Sequence, residues 1–346
     1  MALAISVTSI FVIPPEPTRV PPQGPRSRAA SIDWYGAVMI TTALLALLFA
    51  LTEGNVVGWG TPWVPVLIAV SILVIIAFVF WQHRLESRGI KPPLIKISMF
   101  KKTPRLGAVM LIMALFFSSF NSYLIYATYY IQDYQGYSPL QTMLRFIPTG
   151  VGGAIVAFIV ARLMDKVPTL FILITGNLAI SISNLLFAVP IPPSTSYFAW
   201  TLPAMLLAVV GADTTWPSLT LFTSRALPPE DQAVGGALIN AVGQLGRAIG
   251  LAISTAVQTA VVAKARGVSV EDAGGMEKGD GPTLKGIRAG SWTNFALGIL
   301  SLALVPLAFR SMEIVGRAAP TPPRPERSGG EEGIMNEGDV NGKSKE

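Results

Sequence analysis

Residues 209–219 read V-V-G-A-D-T-T-W-P-S-L and set Asp213 near the middle of a run, 197–223, that is otherwise almost entirely apolar. The neighbours of this carboxylate call for hydrocarbon, so the fold turns on what solvent surrounds the run. Composition answers first. The 346 residues are 51% hydrophobic and 13% charged, with a mean hydropathy of +0.53, a balance that describes a membrane protein rather than two soluble domains. Crossing ~30 Å of hydrocarbon takes about 20 apolar residues. Stretches of that kind recur at 34–52, 62–82, 106–131, 139–161, 167–189, 197–223, 232–262 and 290–310, eight spanning candidates in all.

Charge agrees. The net charge of +6 does not point to nucleic acid, because the basic residues sit in loops between apolar runs and not on one face. With the segment before Asp33 placed in the cytoplasm, nineteen Lys and Arg residues fall on that side and five on the other, all five between Lys264 and Arg288. That bias is the positive-inside pattern; it implies an even number of spans and two cytoplasmic termini. There is no cysteine and His83 is the only histidine, so disulfides, zinc-thiolate sites and imidazole clusters are excluded, and neither an enzyme nor a cofactor is expected.

Ahead of the first span, M-A-L-A-I-S-V-T-S-I-F-V-I is too short to cross comfortably and lacks the charged start and cleavage site of a secretory signal. It reads as the end of a helix whose beginning is missing. The segment after Arg317 is rich in Pro, Gly and charge and reads as a disordered tail. The expected organisation is a stub and linker over 1–33, two helices and a basic loop over 34–105, six helices over 106–310, and a tail over 311–346.

An ionisable side chain at mid-membrane costs at least ~2.5–3.5 kcal/mol on insertion scales, so it faces the bundle interior and normally has a partner. The seventh span supplies one. Measured from the turn at Pro228 and Pro229, Asp213 lies fifteen residues back and Arg247 nineteen forward, depths that differ by only about 6 Å. The two are expected to face each other, directly or through water. At about 100° per residue, Asn240, Gln244, Arg247, Ser254 and Gln258 form one polar stripe, flanked by Gly236, Gly243, Gly246 and Gly250 as a face for close helix packing.

Elsewhere the candidates are thinner. Asn121, Tyr123 and Tyr126 of the third span suggest an aromatic, hydrogen-bonding wall around an amphipathic ligand, whereas Tyr129 and Tyr130 read as an interfacial belt. Arg145, about two turns inside the fourth span, either attracts an anionic group or snorkels to the interface. Asn177, Ser181 and Asn184 give the fifth span a polar edge that reads as glue between helices.

Several segments, in order, resemble a known family: D-W-Y-G-A, L-T-E-G-N-V-V-G-W, Y-Y-I-Q-D-Y-Q-G-Y-S-P-L-Q-T-M-L-R-F-I-P-T-G, G-A-D-T-T-W-P-S, and L-P-P-E-D-Q-A-V-G-G-A-L-I-N-A-V-G-Q-L-G-R-A-I-G. They are similar to fungal members of the major facilitator superfamily, nearest the fourteen-helix drug:proton antiporters, over about residues 1–310. The resemblance implies an all-α multi-pass membrane protein in which spans one and two are an inserted pair and spans three to eight the C-terminal six-helix bundle. It implies export of small amphipathic molecules driven by protons, in the plasma or vacuolar membrane, with Asp213 a candidate coupling carboxylate. Asp165 and Lys166, in A-R-L-M-D-K-V-P, sit where the family carries a charged loop motif. The family commonly has a small residue where this chain has Arg247. The N-terminal bundle of the resemblance is missing, so a chain that transports nothing by itself, a half-transporter or scaffold, is the alternative. The partners implied are the lipid bilayer, a small-molecule substrate, protons and a missing N-terminal bundle.

Overall fold

The computed structural model describes residues 33–89 and 91–309. The expected stub ahead of Asp33 and the expected disordered tail from residue 311 lie outside the described residues. Among the described residues every regular element is helical: α1 (Trp34–Val57), α2 (Trp63–Arg88), a short α3 (Ser98–Lys102), α4 (Arg105–Thr128) continuing into a π-helical turn (Tyr129–Tyr134), α5 (Pro139–Leu163), α6 (Thr169–Ala188), α7 (Thr201–Ala226), α8 (Gln232–Arg266) and α9 (Gly281–Ala308). All but α3 are long and apolar enough to cross a membrane, which makes eight spans and an all-α multi-pass membrane protein. Helix is the form an isolated span must take, because hydrocarbon offers no partner for an open backbone N–H or C=O.

Local chemistry sets the ends. Ser138 and Gln141 form a capping box at the start of α5, and Asp280 caps α9 by accepting from Thr283 N at 3.2 Å. Gly89 and Gly267 close α2 and α8 with φ of 63° and 71°, where a side chain would be strained. One boundary departs from expectation. The eighth helix begins at Gly281 and not near 290, so the long loop expected over 263–289 shrinks to 267–280. Its first turns carry Lys285 and Arg288, which hide them from a hydropathy reading. Arg266 Nη2 meets Asp280 Oδ2 at 2.7 Å and pins the loop shut.

Burial identifies the middle of the bundle. Thirteen of the 24 residues of α4 are buried, against only Thr142 and Val160 in α5. Helix α4 packs on α6, α7, α8 and α9, α6 lies against α7 and α9, and α5 rests on α7. The apolar core draws on Ile112, Phe116 and Met113 of α4, Leu173 and Ile180 of α6, Met205 and Leu219 of α7, and Ile239 of α8. Helices α1 and α2 pair with each other, α1 touches α8, and neither gives the core cluster a described residue. Large exposed side chains such as Val66, Leu73 and Phe80 of α2 and Leu144, Ile155 and Phe158 of α5 suit acyl chains; a water-soluble monomer rarely shows so much apolar surface.

Two devices hold helices together where lipid removes the hydrophobic drive. The first is close approach. A Cβ at Gly246 would overlap the carbonyl oxygen of Ala114, and one at Gly250 would lie 2.5 Å from Ser118 Cα. Between them Ser118 Oγ donates to the Gly246 carbonyl at 2.7 Å. Gly243 joins this face, with Phe117 Cδ2 3.2 Å from its would-be Cβ, whereas Gly236 has open space around it. The packing register runs through Gly235, which abuts Leu227, and Ile239, so the expected place of Gly236 belongs to its neighbour. The second device is hydrogen bonding. Ser301 Oγ donates to Asn177 Oδ1 at 2.7 Å, Asn184 Nδ2 donates to Ser119 Oγ at 3.1 Å, and Ser119 Oγ donates to the Asn294 carbonyl at 2.8 Å. The polar edge of α6 is glue, as its spacing suggested, although Ser181 bonds within its own helix.

At the entry to α1, Asp33 is 4% exposed and accepts from Gly36 N at 3.0 Å, Trp81 Nε1 at 3.1 Å and Gln82 Nε2 at 2.8 Å. Burial alone would raise its pKa, but these donors outweigh it and hold the carboxyl below its ordinary 3.8. A depressed acid stabilises the fold above its unfolded-state pKa, and that stability is lost as pH falls through the folded value. The α1–α2 pairing is therefore expected to be unaffected from pH 7 to pH 5 and to weaken below about pH 4; hydrogen exchange of α1 read against pH checks this, and Asp33→Asn should flatten the response. Overpacking costs about 1–3 kcal/mol, so Gly246→Leu is expected to lower the thermal midpoint in detergent by several degrees while Gly236→Ala leaves it in place.

Candidate functional site

Asp213 is near the centre of α7 and half-buried. Its carboxylate points toward α5, where Oδ2 would lie 3.4 Å from a Cβ on Gly153 and Val209 Cγ1 lines the same gap. Arg247, near the centre of α8, turns elsewhere. Its guanidinium lies over the Phe117 ring of α4, 4.4 Å from the centroid, and its Nε is buried without a hydrogen-bond partner. The expected direct pairing is not formed: no ion pair joins the two among the described residues. The two residues part in azimuth: Asp213 sits on the side of α7 that meets α5, while the Arg247 guanidinium lies over Phe117 of α4.

Around Arg247 is a small notch of about 30 Å³, lined by Met113, Phe117, Trp216, Asn240, Gly243, Gln244 and Arg247. Asn240 and Gln244 are exposed, and the Asn240 amide donates back to the Gly236 carbonyl at 2.8 Å. Trp216, 47% exposed, forms one wall. The remaining members of the polar stripe leave it. Ser254 is buried and donates to Asn294 Oδ1 at 2.5 Å, and Gln258 is buried beside Gly286 of α9. One angular stripe thus meets two environments, since α9 covers the half toward Arg266 and no described helix covers the half toward Gln232.

The aromatic wall is not a wall. Tyr123 and Tyr126 are each 1% exposed; Tyr123 packs edge-on to Phe187, and the Tyr126 ring fills the space left by Gly290. Their reach across a helix pair puts them in the core, because α4 is central. Tyr130, expected in an interfacial belt, is buried against Phe187 and Trp200. Asn121 is half-buried and away from the notch. Arg145 lies with its guanidinium 3.6 Å from the Tyr137 ring centroid and Nη1 donating to the Gln141 carbonyl at 3.2 Å, so it turns back toward the start of α5. Asp165 and Lys166 are exposed in the turn between α5 and α6.

Sequence reasoning missed Phe117, Met113, Trp216 and Gly153. Trp216 stands three residues after Asp213 and was within reach of the same helical count. Nothing in M-A-L-F-F-S-S-F distinguishes Phe117 from its core neighbours.

Eight apolar spans, with an ionisable group near the centre of each of α7 and α8, define a polytopic membrane protein. The chain belongs to the Major Facilitator Superfamily, whose family profile matches residues 23–251, more than half of its length. Among curated relatives it is 26% identical over 257 residues to the low affinity ammonium transporter of Saccharomyces cerevisiae, covering 74% of this chain and 48% of that one. It is 24% identical over 255 residues to the efflux pump terJ of Aspergillus terreus, covering 73% and 47%. It is 24% identical over 317 residues to the aminotriazole resistance protein of Saccharomyces cerevisiae, covering 90% and 53%. The chain spans about half the length of the curated relatives it matches.

Because the chain has no cysteine, introduced thiols report accessibility against a silent background. Asn240→Cys and Gln244→Cys are expected to react with a membrane-impermeant maleimide, and Ser254→Cys to stay unlabelled. Equal labelling of all three would show the stripe to be wet along its whole length.

Proposed function

We propose that this chain forms the C-terminal part of a transporter that moves small amphipathic molecules across a membrane by alternating access, with protons as the driving ion. The observation that carries the reading is Asp213, an ionisable side chain half-buried at the middle of a transmembrane helix, with no ion-pair partner among the described residues. Groups of this kind inside a membrane mark ion and proton pathways. Two relatives bearing the printed names efflux pump and aminotriazole resistance protein support export of toxic small molecules over uptake. The order of the matched segments supports the fungal fourteen-helix drug:proton antiporter branch. Residues 34–105 are the inserted pair in this reading and 106–310 the second bundle, with both termini cytoplasmic in the plasma or vacuolar membrane.

Alternating access moves one bundle against another around a site at their interface. One observation favours a second reading, that the chain does not transport alone: α5, with two buried residues, has a long face without cover from any described helix. In that reading a second bundle supplied by another chain completes the transporter, or the chain acts as a scaffold.

Reconstitution separates them. Proteoliposomes holding the full chain, given a pH gradient and radiolabelled aminotriazole, are expected to accumulate the solute in a protonophore-sensitive manner. Asp213→Asn should reduce gradient-driven flux at least about tenfold, equivalent to roughly 1.4 kcal/mol, and leave solute exchange without a gradient intact. Gradient-driven flux that survives the substitution removes the coupling role of Asp213; no flux from the unaltered chain selects the second reading.

A further inference from the structure

We propose that the notch at Arg247 is a subsite for the anionic headgroup of an amphipathic aromatic acid, a carboxylate or sulfonate, and thereby sets the charge of the substrate. The inference rests on the transport reading and names its substrate class.

The argument starts from an uncompensated cation. No hydrogen bond or ion pair to Arg247 is formed by any described residue; its guanidinium lies over the Phe117 ring, with Cζ 4.4 Å from the centroid. A guanidinium carries five N–H donors in a rigid planar fork, and here its Nε is buried and orphaned. A buried charged donor left unpaired is costly. Stacking on Phe117 recovers about 0.5–2 kcal/mol at most and leaves the donors, which lie in the ring plane of the fork, free to engage an acceptor at the edge. A planar two-oxygen acid is the partner that geometry suits.

The surroundings fix the rest of the ligand. The notch is small, about 30 Å³, so only the charged end of a ligand enters it and not a whole drug-sized molecule. Its walls are the Phe117 and Trp216 rings and the Met113 side chain, and its rim is the pair of exposed amides of Asn240 and Gln244. Aromatic walls favour a flat apolar body, and amides add neutral donors that an anion accepts from. No carboxylate among the described residues lines the notch, since Asp213 faces α5, so an organic cation finds no counter-charge there and meets Arg247 as a repulsive neighbour. Discrimination comes from that repulsion as well as from the new attraction.

The test uses three probes with one body and different charge: 1-naphthoate, 1-naphthylmethanol and 1-naphthylmethylamine. Binding is measured calorimetrically to the full chain in phosphatidylcholine nanodiscs, with no requirement for flux. A hydrogen bond to a charged group is worth about 1.5–3 kcal/mol, so naphthoate should bind about 10- to 100-fold more tightly than the alcohol, and the amine more weakly still. Arg247→Gln should bring the acid to the level of the alcohol; Arg247→Lys, which keeps the charge and loses the fork, should fall between. Equal binding of the three probes by the unaltered chain, or no binding of any, overturns the proposal without depending on how a variant folds. Preference for the acid that persists in Arg247→Gln also overturns it. A second nanodisc set containing phosphatidylglycerol identifies the source of the anion: naphthoate binding that is retained supports a solute site, and binding that is lost assigns the notch to lipid anions and overturns it as a substrate subsite. Binding with the expected preference but without flux leaves this subsite standing and removes only the transport reading.

Discussion

The contact on which the architecture depends is the backbone-to-backbone crossing of α4 and α8, where Gly246 and Gly250 lie against Ala114 and Ser118 and a serine hydroxyl bonds across the gap. Helices in lipid gain little by hiding apolar surface from a solvent that is itself apolar, so proximity and directed hydrogen bonds must do the holding. With α8 seated this closely, α4 becomes the inner helix, and its neighbours α6 and α9 are fastened to it through Ser119, Asn184 and Asn294. The same crossing fixes where Arg247 goes. One residue beyond Gly246, its stem leaves the seam on the side of Phe117, and the guanidinium has an aromatic ring beneath it and an open notch beside it.

The fold was largely legible in the sequence because its decisive signal is coarse. Runs of about 20 apolar residues separated by basic loops require little knowledge of packing, and all eight spans appear where those runs occur. The misplaced start of α9 has a physical cause: charged residues such as Lys285 and Arg288 occupy turns that extend past the hydrocarbon, and only the capping signature of Asp280 and Pro282 announces them. Helix existence follows from solvent, whereas helix length past the membrane follows from caps.

The site was legible in inventory and not in arrangement. Depth along a helix comes from counting residues, and it placed Asp213 and Arg247 at similar levels. Direction around the axis depends on which neighbour each face meets, and that is set by residues with no individual mark, such as Gly153 opposite Asp213 and Phe117 beneath Arg247. The same limit explains the tyrosines. Tyr123 and Tyr126 looked like a ligand wall because their hydroxyls suggest wetness, but Gly290 and Phe187 make room for their rings between α4, α6 and α9. Polar residues in α8 divide likewise, since only part of that 35-residue helix is covered by α9.

Helices α1 and α2 stand apart from this arrangement. They share an anchor at Asp33 with Trp81 and Gln82, and the segment that follows α2 is tied to the α7–α8 turn by Lys96 and Asp231 at 2.7 Å. They contribute nothing to the central apolar cluster. A pair that meets the six-helix body at α8 and is followed by a segment fastened through Lys96 is attached at its edge and not built into its core. Fluorophores or affinity handles mounted on the α1–α2 turn would therefore leave the packing of the core undisturbed, and a probe meant to follow the bundle belongs on α4 to α9.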